Sequence, residues 1–476
     1  MARGLSGDPR SDHASRIVTP VQETFTEGLE FTSQFTSKSF STLLEHFDPT
    51  WIEEALASTQ TASMRRRRLP AEQAVWLVLG MALMRNLPIT QVARQLEIAL
   101  PAADGTRTVA SSALTQARAR LGSEPMEWLF LRSAEEWGHR SAGADQWRGL
   151  ALYGVDGTTL RVADSPENRS HFGGSSSGRG GESGKGTSGY PLLRHVVVMA
   201  LRSHLLVAAA FGPYATDERA YAASLWDTIP DHSLVLMDRH YLQANVLVPL
   251  ASRGTERHWL TRAKSNTQYK TIRRLGPGDE LVEFQVSSEA RRKAPSLPTH
   301  FDARVIRYQR KGYEPQLLIT SLVDEKRFPA AELRVLYHER WEIELGFGEL
   351  KTDMLDRLET LRSKSPVAVA QEMWGLLITY NLIRLEMQRT AAELGVHPNR
   401  ISFVATLREC VLQWNFAATS SPGAIPKQLA TLTDRLRHFV LPPRRPDRVF
   451  PRAVKLKMSN YARKKPTTIS SKKRAK

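Results

Sequence analysis

Apolar positions recur at helical spacing from Leu43 to Trp147, switch to strand-like runs after Leu150, and return to helical spacing near the C-terminal third. Phe47-Asp48-Pro49 opens one predicted helix, and Leu69-Pro70-Ala71-Glu72 opens a second with proline in its first turn. The run Ala74 to Met84 is apolar on all sides. At 11 residues it is too short to cross a bilayer and reads as a core helix. Ile89 to Leu96 forms a short amphipathic helix. After the loop Pro101 to Ala110, Ser111 to Gly122 forms another, with a serine cap, a terminal glycine, and Gln116, Arg118 and Arg120 exposed. This pair resembles a helix-turn-helix with a long loop, which makes Arg118 and Arg120 candidate DNA contacts; plain helical packing is the alternative.

Ala151 to Val162 reads as a strand, followed after a Gly/Ser tract by strands Leu192 to Leu201 and Leu205 to Phe211. Ala215 to Trp226 is a predicted helix, and Ser233 to Met237 a buried strand ending at Asp238. The order describes an α/β core. Residues 241–334 interrupt it with a helix and then alternating segments at His258 to Lys264, Glu280 to Val286, Phe301 to Tyr308 and Gln316 to Ser321, a mostly β insertion. Two helices, about Val367 to Leu394 and Ile401 to Ala418, follow the segment Tyr337 to Lys351.

Charge changes the picture. The net charge is +17 with a pI near 10, and residues 441–476 hold 13 Lys/Arg against Asp447, so +12 of it lies in the tail. Such an excess favours a polyanionic partner, nucleic acid ahead of a membrane surface. Cys410 is the single cysteine, which excludes an intrachain disulfide and a multi-cysteine zinc site and fits a reducing cytoplasm. The 13 histidines show no zinc-ligand spacing. The polar, Ser/Thr-rich start carries no signal peptide. The Gly/Ser tract Gly173 to Gly189 fails as a phosphate loop, because Arg179 and Gly186 occupy two required positions; it reads as a mobile loop whose Arg179 and Lys185 can approach a phosphate.

The most informative stretch is Tyr337-x2-Arg340-x3-Glu344-x6-Lys351. On an unbroken α-helix these four fall at about 0°, −60°, −20° and −40°, a stripe about 21 Å long, while Glu339, Glu342 and Glu349 project to the far side. Arg340 and Glu344 are equally well an i,i+4 ion pair on a solvated helix. Two further acids change that balance: Asp156 in the first strand and Asp238 at the tip of the buried strand. Each alone has an ordinary explanation, a hairpin turn for Asp156-Gly157 and a helix cap for Asp238.

Together, these residues resemble the DDE transposases of bacterial insertion sequences, in the insertion-sequence-four group whose glutamate lies within Y-x2-R-x3-E-x6-K. The resemblance covers nearly the whole chain. Val155-Asp156-Gly157-Thr158 and Asp164-Ser165-Pro166-Glu167-Asn168 match the first-acid region, Gly189-Tyr190-Pro191 and Arg194 the segment after it, and Asp238-Arg239-His240-Tyr241 the second-acid motif. Arg448 to Lys455 resembles the family's C-terminal end.

The resemblance implies an α/β, RNase H-like catalytic core interrupted by a mostly β insertion, with a helical N-terminal domain and a helical plus basic C-terminal region. The expected divisions are a flexible leader (1–41), a helical DNA-binding domain (42–147), a first core segment (148–240), the insertion (241–334), a second core segment (335–400), and C-terminal helices with a basic tail (401–476). Asp156, Asp238 and Glu344 would be the catalytic acids and hold two Mg²⁺ ions, with Mn²⁺ able to substitute, Asp156 bridging them. Tyr337, Arg340 and Lys351 would bind phosphates beside the cut, and Arg262 and Lys264 are further candidate DNA contacts in the insertion. The expected partners are double-stranded DNA, as terminal inverted repeats and target, and a second copy in a synaptic homodimer; the expected place is the bacterial cytoplasm, at the nucleoid, without a membrane. Gln316 departs from relatives that carry a tryptophan platform for a flipped base there, and Trp259 reads as a buried strand residue. Two other readings stay open: an RNase H-fold nuclease that cuts without strand transfer, and a non-catalytic DNA-binding protein derived from a transposase.

Overall fold

In the computed structural model, the described residues are 47–48, 50–61, 69–96, 98, 109–174, 189–264, 266–309, 315–356, 360–417 and 425–443, without the side chains of 414–417 and 425–430. The expected leader, the loop at 101–108, the Gly/Ser tract with Arg179 and Lys185, and the tail from 444 onward lie outside them.

Helices α1 (Thr50–Ser58), α2 (Ala71–Leu83), α3 (Ile89–Gln95), α4 (Ser111–Leu121) and α5 (Glu124–Ser133) lead the chain, and α5 runs through a π turn into α6 (Arg140–Ala144). The apolar run beginning at Ala74 lies in α2 and is buried along its length. The cap of α4 differs from expectation: Ala110 is the N-cap and Ser111 is already helical, while Gly122 ends the helix at φ +70°, where a side chain would be strained.

Next come β1 (Ala151–Val162), α7 (Pro166–Phe172), β2 (Leu192–Ala200), β3 (Leu206–Pro213), α8 (Glu218–Ser224), β4 (Ser233–Leu236), α9 (Ala244–Ser252) and β5 (Arg257–Arg262). After β5 come β6 (Lys270–Gly276), β7 (Asp279–Gln285), α10 (Ser288–Lys293), β8 (His300–Tyr308) and β9 (Gln316–Thr320). The chain then forms α11 (Ala330–Leu336), a 3₁₀ turn at Tyr337–Arg340, α12 (Trp341–Gly348), a π-helical turn at Glu349–Met354, β10 (Thr360–Leu361), α13 (Pro366–Leu394), α14 (Phe403–Ala417) and α15 (Ile425–Leu436).

All strands join one sheet in the order β3-β2-β1-β4-β5-β9-β8-β7-β6, with β10 added beside β1. β1, β2 and β3 run antiparallel to their neighbours, β1, β4 and β5 run parallel, and β9 turns back antiparallel on β5. Strands β6 to β9 therefore belong to the same sheet as β1 to β5. β6 escaped the sequence reading because its Lys-Thr-Ile-Arg-Arg run has no apolar alternation; it is an exposed edge strand, and charged side chains there discourage pairing with a foreign strand.

Period-two alternation along β1 assigns the two sheet faces. Leu152, Leu160 and Val162 join a buried cluster with α1 to α5, α12 and α13; Ala151, Tyr153 and Val155 join the opposite cluster with α8, α9 and strands β7 to β9. Gly375 lets α13 approach α2, since a Cβ there would lie 2.7 Å from Val78 Cγ1. Among the described residues, no helix is long and apolar enough to cross a membrane.

Candidate active site

Strand register places two of the three acids. The last registered β1–β4 pair is Gly154 with Leu236, and Asp156 and Asp238 each lie two residues further along parallel neighbours. Parallel strands sit about 4.8 Å apart and side chains alternate, so the Asp156 carboxylate belongs to the face that carries Leu152, while Asp238 follows just past the end of β4. Past β4, Asp238 caps the turn Arg239–Tyr241, its Oδ1 accepting from the His240 amide at 2.6 Å, while Thr261 Oγ1 on β5 donates to its carbonyl at 2.8 Å.

The Tyr337–Lys351 segment packs on that same face through Ile343 and Phe347. It is not the unbroken α-helix the spacing suggested. Its 3₁₀, α and π turns advance by different angles per residue, so a constant 100° step does not describe it. Tyr337 Oη donates to the Met237 carbonyl at 3.3 Å, and Lys351 Nζ donates to Thr158 Oγ1 at 3.2 Å. The segment is thus tied at one end to the strand before Asp238 and at the other to the strand after Asp156. Between them, Arg340 Nη2 donates to Glu344 Oε1 at 2.7 Å, and the guanidinium lies 5.3 Å from the Trp341 ring centroid.

Electrostatics shows which groups meet. Burial pushes the Asp156 carboxyl up to about 7, the Gly157 amide opposes this, Asp238 and Glu218 push it further up, and Arg340 draws it down. Burial likewise pushes the Tyr337 phenol up to about 12 against the pull of Arg340 and Arg262, so it stays a neutral hydrogen-bond donor. The Asp156 carboxyl thus feels the charges of Asp238, Glu218 and Arg340, and Arg340 is itself paired with Glu344. Among the described residues, no three His, Cys, Asp or Glu side chains are grouped closely enough to hold a metal ion. The oxygen-only donor set and the anionic crowding at Asp156 fit a hard divalent cation, while Glu344 is held by Arg340.

Behind the segment, the acids assigned to its far side are all engaged. Glu339 accepts from Arg202 at 3.0 and 3.1 Å, and Glu342 accepts from Asn399 at 3.1 Å and pairs with His204 at 2.8 Å. Glu349 accepts from Arg384 at 2.6 Å and from Tyr380 Oη at 2.8 Å. Burial opposes the Glu349 charge, yet Arg384, His204 and Tyr380 outweigh it and hold the carboxyl at about 2.

The other candidates divide. Arg118 does not lie on the exposed face of α4: it donates to Gln371 Oε1 at 2.8 Å, Ser363 Oγ at 3.0 Å and the Ala368 carbonyl at 3.1 Å. Burial lowers its pKa, opposed by Glu372. It joins α4 to α13 and has no free donor fork to offer DNA. Arg120 and Gln116 are exposed. Arg262 on β5 lies near Tyr337, whereas Lys264 is exposed and lines a separate cleft of about 760 Å³ between α8, α9 and the β7–α10 connection. Trp259 is buried, edge-on to Phe301 at 6.5 Å, and Gln316 accepts from Tyr308 Oη at 3.0 Å. Sequence reasoning missed Glu218, which lies beside Asp156; it belongs to no motif, and its only sequence signal is an Asp217 cap before it.

Comparison with known proteins bears on the family of the chain. Residues 37–131 match the family model "Insertion element 4 transposase N-terminal", and residues 149–382 match "Transposase DDE domain". The chain is 39% identical over 439 residues to the transposase InsG for insertion sequence element IS4 of Escherichia coli (strain K12), covering 91% of this chain and 97% of that protein. A cryo-EM structure of a piggyBac transposase synaptic complex with hairpin DNA aligns at a TM-score of 0.42 and 9% identity over 86% of each chain, a fit too loose to establish a shared fold.

Proposed function

The chain belongs to the DDE transposases of the insertion-sequence-four type, and from that premise we propose that Asp156, Asp238 and Glu344 are its catalytic carboxylates. Its activity is transposition: cleavage of DNA at the ends of an insertion sequence and joining of those ends to new DNA, with divalent-metal dependence. The observation that supports the residue assignment is the parallel pairing of β1 with β4, which runs to two residues before both Asp156 and Asp238, beside the Tyr337–Lys351 segment that packs on β1. The strand order β3-β2-β1-β4-β5, antiparallel then parallel, supports an RNase H-like core for this unit.

Asp156 and Asp238 would hold the metal, with Glu344 joining them once it leaves Arg340. The chemistry that bound Mg²⁺, with Mn²⁺ as substitute, supplies there is activation of an oxygen nucleophile and stabilisation of the leaving oxygen. Tyr337, a neutral phenol fixed to the β4 tip, orients the strand and forms no covalent link to DNA. Arg340, Lys351 and Arg262 neutralise phosphates next to the cut. The N-terminal helices, with Arg120 exposed, read the element ends. The tail from 444 onward, outside the described residues, adds sequence-independent affinity through its charge. Joining two ends requires a synapse, and membership of the family supports a homodimer on DNA as the working form.

The test is cleavage and strand transfer on terminal-repeat DNA with Mg²⁺. Asp156→Ala, Asp238→Ala and Glu344→Gln each abolish both while end binding persists. An active variant removes that residue from the assignment, and cutting without joined product in the unaltered protein favours a nuclease.

A further inference from the structure

Glu218 stands outside the four-residue signature, yet it bridges the supports of the two aspartates. Tyr241 Oη donates to Glu218 Oε1 at 2.8 Å, and Arg194 Nη1 lies 3.6 Å from Oε2. Tyr241 is fully buried and closes the 3₁₀ turn whose cap is Asp238. At its other flank Glu218 lies against β1 at Gly157, where a Cβ would come within 2.4 Å of its Cδ. Glycine after Asp156 is what lets this carboxylate approach. Gly157 also faces the opposite side of the sheet from Asp156, by strand alternation, so Glu218 backs the site and does not enter it.

Ladder pairing between β1 and β4 ends at Gly154 and Leu236, short of both acids. Thr261 secures Asp238 toward β5. Toward β1, the link runs from Tyr241 through Glu218 to Gly157. We propose that the Glu218–Tyr241 hydrogen bond is a positioning tie that holds the Asp238 turn at the spacing from Asp156 that divalent-metal binding requires. This rests on the reading of Asp156 and Asp238 as metal-holding residues. Buried partners that orient ligands in this way typically contribute about 10- to 100-fold to metal affinity.

The experiment is titration of the full chain with Mn²⁺ alone, following the free ion by electron paramagnetic resonance, with metal-free melting temperatures recorded in parallel. Tyr241→Phe and Glu218→Ala should weaken Mn²⁺ binding about tenfold or more. Glu218→Gln, which keeps an acceptor oxygen for Tyr241, should restore most of that loss. Wild-type affinity in Tyr241→Phe, or a Glu218→Gln variant as weak as Glu218→Ala, overturns the tie. Should Glu218→Ala melt before it can be titrated, Tyr241→Phe and Glu218→Gln decide the matter. Failure of the unaltered chain to bind Mn²⁺, or undiminished binding in Asp156→Ala, would instead bring down the metal-site reading itself.

Discussion

Arg340 and Glu344 form a 2.7 Å ion pair one helical turn apart, and the same guanidinium acts on Asp156. The arginine side chain is only 11% exposed and the glutamate 35%, so water screens the pair in part, from the glutamate side. In the free protein this cation occupies Glu344 and offsets charge where a metal is to bind; a DNA phosphate would compete for it and release the glutamate. Arg340→Ala should therefore raise Mn²⁺ affinity without DNA by about tenfold, the scale of one unit charge removed at short range in a partly buried site. Cleavage should fall, because the phosphate contact is lost. Equal Mn²⁺ affinity in the two proteins would deny the competition.

Lys351 reaches β1 rather than bulk solvent, with Nζ 3.2 Å from Thr158 Oγ1. Nearby His195 is pushed down to about 3, by burial first and by the Lys351 charge second, so it adds no competing cation above acid pH. Lys351→Ala should weaken binding to terminal-repeat DNA and reduce the slope of log affinity against log salt by about one unit, the signature of one lost phosphate contact. An unaltered slope would assign Lys351 to holding the segment on β1.

Arg118 and Arg120 are two residues apart on α4 and should behave oppositely. Arg118 donates to Gln371, Ser363 and the Ala368 carbonyl near buried Glu372, so Arg118→Ala should cost about 3 kcal/mol of stability by leaving those acceptors unpaired. Arg120→Ala should leave the melting temperature nearly unchanged and lower affinity for element ends. Urea unfolding together with end-binding titrations distinguishes the two roles, and a stability loss at Arg120 with none at Arg118 would reverse them.

The readability of these features in the sequence follows their physical range. Asp156 and Asp238 drew attention only together, through their resemblance to the family's two aspartate motifs, and the parallel pairing of β1 with β4 runs to two residues before each of them. Glu344 was singled out by its spacing to Arg340 and Lys351, whereas the π turn that delivers Lys351 to Thr158 leaves no compositional trace. Arg118 misled because its polar position on α4 is exposed by periodicity alone. Its partners Gln371 and Ser363 come from a segment about 250 residues away, and nothing local announces them. Glu218 was hidden for the same reason: its meaning depends on an absent side chain at Gly157 and a phenol at Tyr241, neither of which is near it in the chain. β6 was hidden because an edge strand needs no buried face.

Glu349 gives the segment its acid sensitivity. Its ordinary carboxyl value of 4.5 is lowered to about 2 in the folded protein, where Arg384, His204 and Tyr380 overcome the cost of burial. A carboxylate whose folded value is depressed stabilises the fold fully above its unfolded value, and that contribution disappears as pH falls from about 4.5 toward about 2. Glu349→Gln should therefore destabilise the protein by about 3 kcal/mol near neutral pH, where it leaves Arg384 buried without its counter-charge. The gap between the variant and the unaltered chain should narrow as pH drops through that window. Urea unfolding at about pH 7 and about pH 3 measures it. Because Glu349 follows Glu344 by little more than one turn, the variant should also lose cleavage at neutral pH while Lys351→Ala keeps its stability. A gap of equal size at both pH values would mean that Glu349 is held by packing and not by its charge.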